Sequence, residues 1–183
     1  MRKVFISVFA VILIFAALLS CKKIVAVIFG GTDVNIPEVH ITIPPVIAIS
    51  SNEMSLGSFS QNINLDSTVR ANTGGTFGVN AVNSIKVKQV IITITNPDPS
   101  NNLSNFQSAR VTLQSNTNST PTDFFLITFP DTYTATYTFT PTDSPEVLPY
   151  LKGNTITYNI YGRVRRTTNK PLTMVVTVTL RAN

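Results

Sequence analysis

An all-β fold with one or two short helices, arranged as an antiparallel β-sandwich, is what the sequence predicts, and three observations predict it. Most of the chain beyond residue 21 falls into segments in which apolar and polar residues alternate with a period of two. Clusters of Asn, Asp, Pro, Ser and Gly separate those segments. Only two stretches depart from this scheme, and both are too short to stand alone as helices.

Before the strands comes a leader. Arg2 and Lys3 precede an apolar run over residues 4–19 whose only hydroxyl is Ser7, the pattern of a secretion signal. The run ends in Leu18, Leu19, Ser20 and Cys21, which resembles a bacterial lipobox. That resemblance implies a diacylglyceryl group on the Cys21 sulfur, cleavage before Cys21, and acylation of the new amino terminus, with palmitate-type chains. Cys21 is the only cysteine, so it has no disulfide partner within the chain. The alternative is an uncleaved membrane helix over residues 4–21, since roughly 18 apolar residues begin to qualify for a span. Lys22 and Lys23 then balance Arg2 and Lys3 and leave its orientation undefined. Several acyl chains make a stable anchor where one is marginal, at about 0.8 kcal/mol per buried CH₂.

Loss of residues 1–20 leaves twelve Lys and Arg against nine Asp and Glu, so the formal charge falls from +5 to +3. Only 13% of residues are charged, which gives nucleic-acid binding little support. The remaining length suits one domain with its own core. The sequence divides into a signal (1–20), a lipidated arm or edge strand (21–59) and the sandwich (60–183). In the arm, "IVAVIFGG" is apolar, and "VNIPEVHITIPPVIAI" mixes β-branched residues with Pro37, Pro44 and Pro45, which exclude a central strand for most of it. It reads as an edge strand along the sandwich or, alternatively, as an arm on lipid or a partner.

In "NLDSTVRANTGG", Asp66 or Ser67 is expected to cap a short helix that Gly74 and Gly75 stop, and "VNAVNS" suggests a second. Both are expected to cover an open end or edge of the sandwich. Strands follow in "SIKVKQVIITIT", "ARVTLQS" and "DFFLITF". Tyr133, Ala135, Tyr137 and Phe139 alternate with threonines, placing aromatic rings on a core face. Two further alternating strands, from Thr155 to Val164 and from Leu172 to Arg181, flank "RRTTNKP", which reads as a hairpin loop with a basic tip.

Candidate chemistry is sparse. His40 is the only histidine and alternates with Val39 and Ile41, which points it to solvent with no acid or nucleophile motif around it. No cofactor loop and no His/Cys metal cluster is present, and an enzyme is not expected. Asn96, Asp98, Asn101 and Asn102 share one loop and include calcium-type oxygens, but a single carboxylate there favours a turn. Arg163, Arg165, Arg166 and Lys170 bracket the last loop; they suit an anionic lipid, a lipopolysaccharide phosphate or an acidic partner, or else protect an edge. There is no Trp, and with Tyr133, Tyr137 and Tyr158 on core faces, Tyr150 and Tyr161 remain as platforms for a glycan.

Two wider resemblances add to this reading. The lipobox and a composition rich in Thr and Asn resemble the small envelope lipoproteins of Bacteroidota, in which triplets such as Asp66, Ser67 and Thr68 can be O-glycosylated. Lys22 and Lys23 differ from the acidic residues that follow the cysteine in the surface-exported members, which implies the periplasmic face of the outer membrane. The segment "VIITITNPDP" is similar to desiccation-type immunoglobulin-like domains and implies an immunoglobulin-like sandwich. The function expected is a lipid-anchored, non-enzymatic structural or protein-interaction role in the envelope. The alternative is a ligand-binding module for glycan or lipid.

Overall fold

In the computed structural model the described residues are 31–183. The signal (1–20), Cys21 and the apolar segment 24–29 lie outside them. The strands are β1 (Thr32–Asn35), β2 (Val39–Ile43), β3 (Ser50–Asn62), β4 (Ile85–Ile94), β5 (Phe106–Ser115), β6 (Thr122–Thr128), β7 (Thr136–Phe139), β8 (Thr155–Val164) and β9 (Leu172–Ala182). Helix α1 (Leu65–Asn72) lies between β3 and β4, and a single turn, α2 (Leu148–Leu151), lies between β7 and β8.

Two antiparallel sheets pack as the expected sandwich. One runs β1-β9-β4-β7 with β2 also on β9, and the other runs β3-β8-β5-β6. The ladders β2·β9, β3·β8, β4·β7 and β5·β6 pair the first half of the chain with the second half in reverse order. Such a ribbon, rolled until β4 meets β9 and β5 meets β8, is a jelly roll. It shares the two-layer architecture of immunoglobulin-like domains and differs from them in connectivity.

This winding corrects the last hairpin. β8 and β9 belong to different sheets, so residues 165–171 bridge the layers instead of turning back within one. The reason is that both strands are central: β8 lies between β3 and β5, and β9 between the β1/β2 edge and β4. Each uses both of its hydrogen-bonding edges on strands distant in sequence.

The arm is also redrawn, because a boundary at residue 60 falls inside β3, and residues 32–62 supply an edge to both sheets. Along β9 the register slips by one between Asn35 and Val39, where Pro37 interrupts the edge strand as a proline at a bulge does. On the other sheet β3 carries two irregularities, one at Gly57, whose φ of +144° a side chain rarely adopts. Bulged edges resist pairing with another chain.

The alternation in β8 and β9 survives as packing. Ile156, Tyr158, Ile160 and Val164 face Leu172, Met174, Val178 and Leu180 within one continuous core. Asn64, not Asp66 or Ser67, caps α1, its Oδ1 accepting from the Ser67 N–H at 2.9 Å. That start puts Leu65 and Val69, four apart, on the buried face against the end of the sandwich. Asp66 instead accepts from the Val79 N–H, in the single 3₁₀ turn Val79–Ala81 that stands where a second helix was expected. The unexpected α2 is held by Glu146, whose carboxylate accepts from the N–H groups of Ile85 and Leu148 and from the Ser84 hydroxyl. Burial pushes that carboxyl up, but these three donors outweigh it and hold it below its ordinary value.

The strand expected from Tyr133 begins only at Thr136. Residues 129–135 connect β6 to β7 across the sandwich, and this leaves the Tyr133 ring 57% exposed.

Candidate functional site

Four connections converge at one end of the sandwich: 44–49, 95–105, 129–135 and 165–171. They share that end because each joins a strand of one sheet to a strand of the other where β2, β4, β6 and β8 finish. The amino-terminal segment enters at the opposite end, where Thr32 lies across from Ala182.

Buried asparagines tie the connections together. Asn101 Nδ2 donates to Asn169 Oδ1 at 2.7 Å, and Asn101 Oδ1 accepts from the Asn169 N–H at 3.0 Å. Asn102 Oδ1 accepts from the N–H groups of Ser104 (3.0 Å) and Thr134 (3.3 Å). Asn105 Nδ2 donates to the carbonyls of Ser100 (2.9 Å) and Thr167 (2.8 Å), and Asn105 Oδ1 accepts from the Asn102 N–H at 3.0 Å. In the first connection, Val46 exchanges two bonds with Thr168. This polar layer satisfies the loop backbone where strand ladders stop.

Three of the four cations expected at a basic tip have partners within the protein. The Arg165 guanidinium donates to the carbonyls of Phe106, Phe129 and Pro130 at 2.9–3.2 Å. Arg166 donates to the Ser104 carbonyl and pairs with Asp131. Lys170 pairs with Asp98 at 2.6 Å. Arg163 is exposed on the outer face of β8 and acts on Glu53 through space. Arg165, Arg166 and Lys170 therefore brace the loop end, because each faces carbonyls or a carboxylate there.

The loop weighed as a calcium site is the turn. Asp98 accepts from Lys170, from Asn101 Nδ2 and from the Ser100 N–H, so an ammonium group meets its carboxylate. Among the described residues no group of three His, Cys, Asp or Glu could hold a metal. The Lys170 hydrogen bond, followed by that of Asn101, lowers the Asp98 carboxyl from 3.8 to about 2. Asp33, Glu53 and Asp66 are held below their ordinary range by Lys88, Arg110 and Arg70 respectively. A carboxylate depressed on folding stabilises above its unfolded value and loses that contribution as pH falls through the folded one. The melting temperature is therefore expected to fall between about pH 4 and pH 2. Lys170→Met should make that acid-dependent fall smaller in a pH series of thermal melts.

Of the two expected platforms, Tyr161 lies under the Arg110 guanidinium at 4.5 Å from the ring centroid, and Arg110 is itself paired with Glu53 and Asp123. Tyr150 packs half-buried against the core. His40 is exposed on β2 opposite Val175. The aromatic ring that is presented at the loop end is Tyr133, which the alternation had assigned to the core. Its signal in the sequence is Pro130 with Asp131, a turn pair that breaks the strand before it starts.

Beside Tyr133 is an open cleft of about 400 Å³, lined also by Ser104, Asp131, Arg166 and Thr167. Ile47 (88% exposed) and Ile49 (67%) project from the first connection. Among the described residues no helix is long and apolar enough to cross a membrane.

No family model and no curated relative matches the chain. Similar solved structures include the NLP core of Drosophila, a pentamer-forming, histone-binding protein, at 7% identity and TM-score 0.27, over 81% of this chain and 97% of that one. The VP2 subviral particle of infectious bursal disease virus is 9% identical at TM-score 0.35, over 84% of this chain and 32% of that one. A CBM4 structure is 11% identical at TM-score 0.31, over 82% and 94%. The fold assignment rests on the strand pairing, and none of these proteins' roles carries over.

Proposed function

We propose that this chain is an exported, lipid-anchored and non-enzymatic module of the bacterial envelope, tethered through Cys21 on the periplasmic face of the outer membrane and presenting its loop end to a protein partner. The observation that carries this reading is polarity. The amino-terminal segment joins the sandwich at Thr32, whereas the four connections lie at the far end of β9. At about 3.3 Å per residue, an eleven-residue strand separates the two ends by roughly 35 Å. The nine residues 22–30 span at most about 30 Å, so a lipid at Cys21 would keep the domain close to the bilayer, joined at the end opposite the loops.

Extraction from membranes followed by intact-mass measurement tests the tether. The expected mass is that of a chain beginning at Cys21 with diacylglyceryl and acyl additions. Cys21→Ser should leave the leader in place and abolish the lipid increment. A native chain with residues 1–20 attached and an unmodified thiol would sink the reading. The alternative, a ligand-binding module, is supported separately by the cleft beside Tyr133.

A further inference from the structure

We infer that the cleft beside Tyr133 binds a neutral saccharide. The assignment deepens the reading of the loop end as the presented surface, and it does not depend on the lipid at Cys21.

Among the described residues, four hydroxyls around the cleft have no hydrogen-bond partner: those of Ser100, Ser104, Tyr133 and Thr167. The main chains of Ser100, Ser104 and Thr167 are bonded, so these three side chains are held in place while their oxygens stay available. Ser104 is the strongest case, since the residue is only 6% exposed yet lines the cleft. The Ser104 hydroxyl is not among the fully buried oxygens, so it stays open to a ligand that can replace water on it.

The chemistry of the wall selects the ligand. Each free hydroxyl both donates and accepts, which suits a ligand whose groups do the same. Arg166 is neutralised by Asp131, so an anion would have to break that pair and approach a carboxylate. An apolar ligand would strip water from the four hydroxyls without replacing its bonds. The Tyr133 ring, 57% exposed, offers a flat apolar surface to the C–H face of a pyranose. A volume of about 400 Å³ lies within the range of small-molecule clefts. Preorganisation comes from Asn102 and Asn105, which line the cleft with their side chains engaged in hydrogen bonds to the connections.

The test uses the full chain purified in lauryldimethylamine oxide, a detergent without a sugar headgroup. Saturation-transfer NMR is run with glucose, galactose, mannose, N-acetylglucosamine, cellobiose and maltose, and with inorganic phosphate as the anionic probe. At least one saccharide is expected to bind saturably. Tyr133→Ala, at an exposed position, should weaken it about tenfold or more, and Ser104→Val should do likewise, whereas Arg163→Ala outside the cleft should change nothing. Silence from all six sugars overturns the assignment, and so does unchanged affinity in Tyr133→Ala or displacement of the sugar by phosphate. Sugar binding by a chain that proves unlipidated would remove the tether alone, and lipidation without sugar binding would remove this site alone.

Discussion

Phe124→Ala should lower the unfolding free energy by about 3–5 kcal/mol, the range for deleting a buried aromatic ring. Phe124 is 1% exposed on β6, with its ring centroid 5.1 Å from that of Phe125 and 5.8 Å from that of Tyr158. Tyr158 in turn stacks on Phe59 of β3 at 4.8 Å, so one aromatic cluster joins an edge, a centre and the opposite edge of the second sheet. Burial pushes the Tyr158 phenol up to about 12, which reports how dry this cluster is. A cavity of about 60 Å³ already lies between the sheets with Phe124 on its lining. Removing the ring enlarges that void instead of letting neighbours collapse into it, which favours the upper part of the range. Leu126→Ala, two residues along the same strand but 57% exposed, is the control and should change stability by no more than about 0.5 kcal/mol. Equilibrium denaturation of both variants decides the matter, and equal costs would contradict the core assignment.

Asn105→Ala should cost about 3 kcal/mol or more, because each of three orphaned partners loses at least roughly 1 kcal/mol. The residue is 2% exposed and makes three side-chain bonds, two of them to backbone carbonyls in different connections. Its removal leaves the carbonyls of Ser100 and Thr167 and the N–H of Asn102 without these partners. Asn105→Asp conserves the shape but loses both donors and sets a charge against two carbonyls, so it should be no milder. Hydrogen exchange at Asn102 is expected to accelerate in both variants. A loss below about 1 kcal/mol would mean that water replaces these bonds and that the loop end is not the rigid layer described.

The readings that held are those with short range. Alternation in residues 155–164 and 172–181 marks two strands, and their inward residues follow directly, because successive side chains in an extended chain point to opposite faces. Pro37, Pro44 and Pro45 mark an interrupted edge by the same local logic, since a proline cannot donate to a ladder. The same rule misplaced Tyr133, because alternation says nothing about where a strand begins. The capping residue was also misplaced: Asn64 lies two residues before Asp66, and only the need to bury Leu65 and Val69 together selects it.

Composition and pattern alone specify a two-layer β architecture without a disulfide and the turn-forming loops between strands. Which strand lies beside which is decided only in three dimensions. β8 and β9 are neighbours in sequence but sit in different sheets, since β9 satisfies its backbone on strands as distant as Thr32 across from Ala182, and β8 on strands as distant as Ser50 across from Val164. That winding gathers the four connections at one end, turns two arginines and a lysine into braces, and leaves the Tyr133 ring beside one cleft with four free hydroxyls, its own included. No local pattern encodes such a grouping, because its members come together only when distant segments pair.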